Sequence, residues 1–313
     1  MSSDSAFVFP GQGSQSVGML AALAEAYPIV AETFEEASDH LSIDLRGLIM
    51  DGPVEQLNRT ENTQPAMLAA GISVWRVWRQ QGGGLPSMMA GHSLGEYSAL
   101  TAAGVIDFGD ALRLVRKRGQ FMQNAVAEGS GAMAAILGLD DGRVRQVCAD
   151  AEQGEVVEAV NLNAPGQVII AGDRAAVERA MKLAKEAGAK RALPLPVSVP
   201  SHCSLMKPAA LQLADALTEI TLRAVDIPVI HNVNVDVAKD AGDIARLLVE
   251  QLYKPVRWVE SVEKIRDAGT RTLYECGPGK VLTGLCKRID KALDALAVFD
   301  PASLDKALEA QHA

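Results

Sequence analysis

In this 313-residue chain the pentapeptide Gly91-His92-Ser93-Leu94-Gly95 has the residue types and spacing best suited to covalent chemistry. An apolar run, Met88-Met89-Ala90, leads into it, and a helix-compatible run from Leu94 to Ala103 leads out. Gly-x-Ser-x-Gly between a strand and a helix is the pattern of a nucleophile elbow. Glycines flank the serine because the turn is too tight for neighbouring side chains. The serine oxygen is then exposed at the tip, close to the free N–H groups of the following helix.

A serine nucleophile needs a base. Of the five histidines, His312 stands beside the C-terminal end, His40 in a polar helix end, and His92 next to the serine, where adjacent side chains diverge. His202 lies in the constrained segment Val199-Pro200-Ser201-His202-Cys203, and His231 in Pro228-Val229-Ile230-His231-Asn232 at a strand end. Each can be read as a base or as a hydrogen-bonded structural residue, and the structural reading is the stronger one for His231. Loops on rigid scaffolds disproportionately carry catalytic groups, which favours His202. No Asp or Glu stands out as the third member of a triad, so a backbone or amide carbonyl is the alternative support for the imidazole.

Gly11-Gln12-Gly13-Ser14-Gln15-Ser16 is not a dinucleotide loop, because the third glycine of G-x-G-x-x-G falls on Ser16. Nor is it a Walker loop, since no Lys-Ser/Thr follows. Its glycines let a backbone N–H approach a ligand after the first strand. An oxyanion hole takes one N–H from the residue after the nucleophile, here Leu94, and another from a nearby loop, for which Gln12 is the candidate. Gly277-Pro278-Gly279-Lys280 lacks phosphate-loop spacing and reads as a tight strand-to-helix turn.

Arg118 is the most discriminating residue. On a helical wheel Ala111, Leu112, Leu114, Val115, Gly119, Phe121, Met122 and Val126 share one arc of roughly 180°, opposite Arg113, Arg116, Lys117 and Gln120. Arg118 falls inside the apolar arc. A guanidinium does not lose its proton, so burying it requires an anionic partner. That partner is either a structural carboxylate or the carboxylate of a substrate, and a snorkelling side chain is the third option.

The elements that must position these residues alternate between strand and helix. Residues 6–9 form a first buried strand, residues 19–37 and 64–80 helices, Gly82-Gly83-Gly84 a loop, and residues 110–126 a helix after the elbow. That order predicts an α/β core with a largely parallel sheet. From 131 the pattern changes to strand (131–139), helix capped by Asp140, strand (155–163), Pro165-Gly166 turn, strand (167–171), helix capped by Asp173, and strand (191–198). The order β-α-β-β-α-β is that of a ferredoxin-like unit, here inserted at 128–198 into a core made of 1–127 and 199–313. Further core strands are expected at 229–233 and 272–275.

Composition bounds the partners. With 39 acidic and 30 basic residues the net charge is −9, which argues against nucleic acid. Cys148, Cys203, Cys276 and Cys286 are scattered with no C-x-x-C pair and read as reduced thiols of a cytoplasmic protein. The start of the chain lacks a signal-peptide pattern, and no run of about 18 apolar residues suggests a membrane span.

Together these pieces resemble the malonyl-CoA:acyl carrier protein transacylase family over essentially the whole chain. The marks are Phe9-Pro10-Gly11-Gln12-Gly13-Ser14-Gln15, Thr63-Gln64-Pro65-Ala66, Gly91-His92-Ser93-Leu94-Gly95-Glu96, Arg118-Gly119, Asn161-Leu162-Asn163-Ala164-Pro165-Gly166-Gln167, Pro200-Ser201-His202, Gln251-Leu252-Tyr253-Lys254-Pro255-Val256 and Gly277-Pro278-Gly279-Lys280-Val281-Leu282. The resemblance implies an α/β-hydrolase-like core with an inserted ferredoxin-like domain and an active site between them. It implies Ser93 as nucleophile, His202 as base, and Gln12 and Leu94 as oxyanion donors. It further implies Arg118 as the partner of the malonyl carboxylate, Gln251 as the residue whose carbonyl orients the histidine, and Met122 and Asn163 as pocket-lining positions.

Malonyl-CoA and acyl carrier protein are the implied partners, with no metal or redox cofactor, no membrane or nucleic-acid partner, and a monomer as the working assembly. Related modules that select methylmalonyl tend to carry Gln where Leu94 stands, so Leu94 favours unbranched malonyl. A free-standing chain of this length favours fatty-acid over polyketide synthesis. Docking of an acidic carrier protein on an acidic chain needs a local basic patch, for which Lys182, Lys185, Lys190, Arg191, Lys287 and Arg288 are candidates. The rival readings are a serine thioesterase or carboxylesterase, which needs no carboxylate clamp, and a non-enzymatic scaffold.

Overall fold

The computed structural model describes residues 4–197, 199–224 and 226–312. Its strands, in chain order, are β1 (Ser5–Phe9), β2 (Met88–Gly91), β3 (Gly131–Leu137), β4 (Val157–Ala164), β5 (Gln167–Asp173), β6 (Arg191–Pro194), β7 (Val229–Ile230), β8 (Thr272–Cys276) and β9 (Asp294–Val298). They form two sheets, one of order β7-β2-β1-β8-β9 and one of order β4-β5-β3-β6.

Every pairing in the five-stranded sheet is parallel. Its centre is β1, whose five residues are all buried. Alternation along it feeds two cores. Phe7 and Phe9 pack with the Thr60–Gln80 helix on one face, and Ala6 and Val8 pack with Trp258, Val262 and Leu282 on the other. A parallel sheet covered on both faces must be apolar throughout, and Ala-Phe-Val-Phe meets that requirement. Phe9 pairs with Gly91, so the loops after β1 and β2 leave the sheet side by side. Gln12 follows one of these strands and Ser93 the other. Carboxyl ends of adjacent strands with helices on both faces are where α/β sheets place their sites.

The four-stranded sheet is antiparallel throughout, with β5 and β3 inside. The Asp141–Ala151 and Arg174–Glu186 helices pack on one face over a core of its own, drawn from residues 134–192. With the strands renumbered within this unit, the order is that of a ferredoxin-like βαββαβ fold. The opposite face carries Met133, Ala135, Val160, Ile169 and Ala171 and packs against Cys203 and Leu205 of the larger part.

Several expected elements differ in detail. The helix expected over 19–37 is two helices, Ala21–Ala26 and Ile29–Leu41, interrupted at Tyr27-Pro28 because proline cannot continue the donor ladder. The strand expected over 191–198 ends at Pro194, since Pro194 and Pro196 have no N–H to donate. Ser198 lies outside the described residues. Asp140 caps its helix as expected, accepting from the Arg143 N–H at 2.9 Å. Asp173 stands at its N-cap position without a capping bond; its carboxylate instead accepts from the Val156 N–H at 2.8 Å. The strand expected over 229–233 stops at Ile230, because His231 and Asn232 turn to bond a buried carboxylate described below. Strand β9 has no counterpart among the expected elements. Its sequence, Asp-Ala-Leu-Ala-Val, has helix-like composition and takes its conformation from pairing with β8.

Candidate active site

The elbow is built from close backbone approach. A Cβ on Gly91 would stand 1.9 Å from the backbone of Gly95, and one on Gly95 would stand 2.0 Å from the Phe9 carbonyl oxygen. Both positions therefore exclude any side chain. Ser93 sits between them with φ +54°, in the left-handed region where a non-glycine residue is strained. That conformation is pinned by Asn232, whose Oδ1 accepts from the Ser93 N–H at 2.8 Å while its Nδ2 donates to the Gly91 carbonyl at 2.7 Å.

Ser93 Oγ lies 2.7 Å from His202 Nε2. The other ring nitrogen, Nδ1, donates to the backbone carbonyl of Gln251 at 2.6 Å. With that proton on Nδ1, Nε2 is the bare nitrogen and accepts the serine hydroxyl. His202 is itself a left-handed residue, φ +67°, and its N–H donates to the Leu252 carbonyl at 2.9 Å. The end of the Ala241–Gln251 helix thus holds both the backbone and the ring of His202. Burial pushes the imidazole down to about 3, with the Arg118 charge adding to that and the Gln251 hydrogen bond opposing it. The ring is neutral at ordinary pH, as a base must be.

Arg118 is 1% exposed and projects from the Phe108–Asn124 helix, whose buried positions follow the expected arc. Its Nη1 donates to Gln64 Oε1 at 2.8 Å and its Nη2 to Gln251 Oε1 at 3.0 Å. Its carbon stands over the Tyr97 ring at 5.3 Å, a cation–π contact. Nε has no partner among the described residues, and both bonded acceptors are neutral amides. Burial lowers the proton affinity of this guanidinium, with Tyr97 and Glu96 opposing it. A structural carboxylate, one of the readings open from sequence, does not pair with Arg118 among the described residues.

Ser93, His202, Arg118, Leu94, Gln12 and Met122 line one cavity of about 120 Å³. The amides of Gln12 and Leu94 donate to no described residue. Met122 also accepts, through sulfur, from Gln64 Nε2 at 3.6 Å. Asn163 does not line this cavity: its Oδ1 bonds His92 Nε2 at 2.7 Å, and His92 is the wall residue. Asn161, two residues earlier, lines the cavity with an unpartnered buried Oδ1. A wider groove of about 540 Å³ continues outward and shares Gln12, Val197 and Val199 with the cavity.

The remaining histidines are placed elsewhere. His231 is buried with Nδ1 on Glu96 Oε1 at 2.7 Å, and His40 is exposed near Glu36. The side chain of His312 lies outside the described residues. The four cysteines are buried free thiols, and no group of three His, Cys, Asp or Glu among the described residues could hold a metal ion. No described helix is long and apolar enough to cross a membrane.

A serine at a strained elbow, bonded to a neutral histidine at the carboxyl end of a parallel sheet, defines an acyl-transferring enzyme. The acyl transferase domain family matches residues 6–297. Malonyl CoA-acyl carrier protein transacylases of Salmonella typhimurium and Escherichia coli are 61% and 60% identical, each over 97% of this chain and 98% of the relative. An acyl carrier protein S-malonyltransferase of Vibrio cholerae has 61% identity and a TM-score of 0.95 over 97% of this chain and all of that one. A malonyl-transacylase solved in complex with a type II PKS acyl-carrier protein has 58% identity and a TM-score of 0.97, covering 98% of this chain and 99% of that one. The chain belongs to this family of acyl transferases, the malonyl CoA-acyl carrier protein transacylases.

Proposed function

We propose that the protein moves a malonyl group from malonyl-CoA to the phosphopantetheine thiol of acyl carrier protein through an ester on Ser93. The observation that carries this reading is the shared cavity: the Ser93–His202 pair and a buried arginine with a spare donor face the same small space. A guanidinium left with neutral partners and an unused N–H is matched by a ligand carboxylate, which it binds through two donors.

In the first half-reaction His202 Nε2 takes the Ser93 proton as Oγ attacks the thioester carbonyl. The Gln12 and Leu94 amides receive the oxyanion, each contributing about 3 kcal/mol to barrier lowering. The tetrahedral adduct expels the coenzyme A thiolate, which takes the proton back from His202. In the second half the carrier thiol gives its proton to His202, its sulfur attacks the ester carbonyl, and Ser93 leaves and is reprotonated. The protein's own residues account for every proton in this scheme, and it calls on no metal or redox cofactor. The outer groove suits the pantetheine arm that both substrates share. Leu94 presents an apolar side chain to the acyl group and favours the unbranched substrate.

We also infer that residues 128–198 are an inserted domain in a core of 1–127 and 199–313, supported by the separate sheets and the self-contained core at 134–192. The carrier protein is placed on the exposed cations Lys182, Lys185, Lys190, Arg191, Lys287 and Arg288. Lys190 and Arg288 line one shallow depression between the two parts, where Arg288 bonds Gln167. Fatty-acid synthesis in the cytoplasm is the pathway this reading serves.

The test is steady-state kinetics with malonyl-CoA and holo acyl carrier protein. Parallel double-reciprocal lines and malonyl-carrier product are expected. Release of free malonate at the same rate with and without carrier protein would instead mark a thioesterase.

A further inference from the structure

Gln251 bonds Ser93, His202 and Arg118 at once. Its backbone carbonyl accepts from His202 Nδ1, its Oε1 accepts from Arg118 Nη2, and its Nε2 donates to the Ser93 carbonyl at 3.0 Å. A side-chain amide has a donor end and an acceptor end, and only its partners decide which faces where. Toward Arg118, which can only donate, Gln251 must present oxygen. Something must therefore hold Nε2 on the opposite side.

Two acceptors do so, the Ser93 carbonyl and the carboxylate of Glu96, the residue directly after the elbow pentapeptide and 0% exposed. Its Oε2 accepts from Gln251 Nε2 at 2.9 Å and from the Asn232 N–H at 2.9 Å, while Oε1 accepts from His231 Nδ1 at 2.7 Å. Both oxygens are used as acceptors, so the carboxylate is fixed on two sides by groups that do not belong to the reacting pair. Asn232, bonded to it through the backbone, is the same residue that pins Ser93. Glu96 is absent from the cavity wall, so it meets no substrate.

We propose that Glu96 is a positioning residue for acyl-group selection: it fixes the Gln251 amide with oxygen toward Arg118, and so holds the guanidinium in place for a carboxylated acyl group. With Glu96 removed Nε2 keeps only the Ser93 carbonyl, and the amide is held less firmly with its oxygen toward Arg118. Arg118 moves off its place in the wall. The base is disturbed less, because it rests on the Gln251 and Leu252 backbone carbonyls rather than on the amide. This deepens the malonyl-transfer reading and rests on it.

The experiment compares kcat/KM for malonyl-CoA and acetyl-CoA, with the same carrier protein, in the parent, Glu96→Ala, Glu96→Asp and Glu96→Gln. A parent that prefers malonyl keeps the underlying reading intact; a parent without that preference contradicts that reading, whatever the variants do. Given the preference, Glu96→Ala should lower the malonyl-to-acetyl ratio by about tenfold or more, the worth of one hydrogen bond to a charged group. Glu96→Asp, which keeps the charge but shortens the reach, should lower it in the same direction and serves if Glu96→Ala does not fold. Glu96→Gln should hold the ratio within about threefold, because its amide oxygen still accepts from Gln251 while His231 changes tautomer to meet its NH2.

A merely structural role would lower both rates together. An unchanged ratio in the soluble Ala or Asp variant overturns the proposal. So does a Gln variant that loses the ratio as fully as Ala, because charge rather than amide orientation would then be responsible.

Discussion

The reacting half and the selecting half of the cavity are built in opposite ways. Ser93 and His202 are fully engaged: each holds a left-handed backbone, each is bonded to the other, and each is tied down by a further partner in Asn232 or Gln251. Arg118, which is buried, and Asn161, which is half-buried, carry unused capacity, an unpartnered Nε and an unpartnered Oδ1. Strained backbone at a site persists only where the surroundings over-determine it. Unsatisfied buried polar atoms cost free energy until something bonds them. The Ser93–His202 pair is therefore complete before substrate arrives, whereas the selecting half is completed by it.

Breaking either half should give distinct signatures. The largest effect belongs to the reacting half. His202→Ala should lower kcat by roughly 10²–10⁴ for malonyl and acetyl transfer alike, the usual range for a general base. A much larger loss on one acyl group than on the other would show that the two halves are not separable.

Arg118→Ala comes next. It should lower malonyl kcat/KM by roughly 10²–10⁴, corresponding to the 3–5 kcal/mol lost when one partner of a buried charge pair is removed. Acetyl transfer, which brings no carboxylate, should stay within a few fold. Equal losses would sink the clamp.

A smaller effect sharpens the electrostatic link between the halves. His202 is held below its ordinary value first by burial and then by the Arg118 charge. Since the neutral ring is the active form, activity is lost as pH falls through its pKa. The acid limb of acetyl kcat/KM should therefore lie well below pH 6.5 in the parent. Arg118→Ala removes one cause of the depression, so the limb should move to higher pH. A limb that stays in place would mean that the two groups do not sense each other.

The smallest effect lies outside the cavity. Reversing charge at Lys190 and Arg288 should raise KM for carrier protein at low salt without altering malonyl loading of Ser93, because long-range steering acts on encounter and is screened by salt. An unchanged KM would put the docking surface elsewhere.

Much of this was legible in the sequence, for local reasons. The elbow is a five-residue turn with its own Gly-x-Ser-x-Gly signature, although Gly95 is required by the distant Phe9 carbonyl, and Arg118 stands out because helical periodicity exposes one charge in an apolar arc. The ferredoxin-like order followed from alternating patterns and turn residues. What sequence reasoning missed depends on groups far apart in the chain. Asn232 pins a serine 139 positions away, and Glu96 meets His231 across 135. Neither pairing leaves a periodic trace. Sequence pattern continues the strand through 231 and 232, whereas their bonds to Glu96 end it. Glu96 was visible as the letter after the elbow, but only its three donors reveal what it does. Asn161 and Asn163 share the strand's spacing, and only the three-dimensional wall shows that 161 faces the cavity while 163 braces His92.

The central claim is that Ser93 carries the malonyl group between donor and acceptor. Malonyl-CoA added to the purified protein without carrier protein, followed by intact-mass and peptide analysis, tests it directly. One malonyl adduct per chain is expected, on the peptide containing Ser93, discharged by holo acyl carrier protein and absent from Ser93→Ala. An adduct that survives in Ser93→Ala, or coenzyme A released with no adduct in the parent while carrier protein is still malonylated, would contradict it.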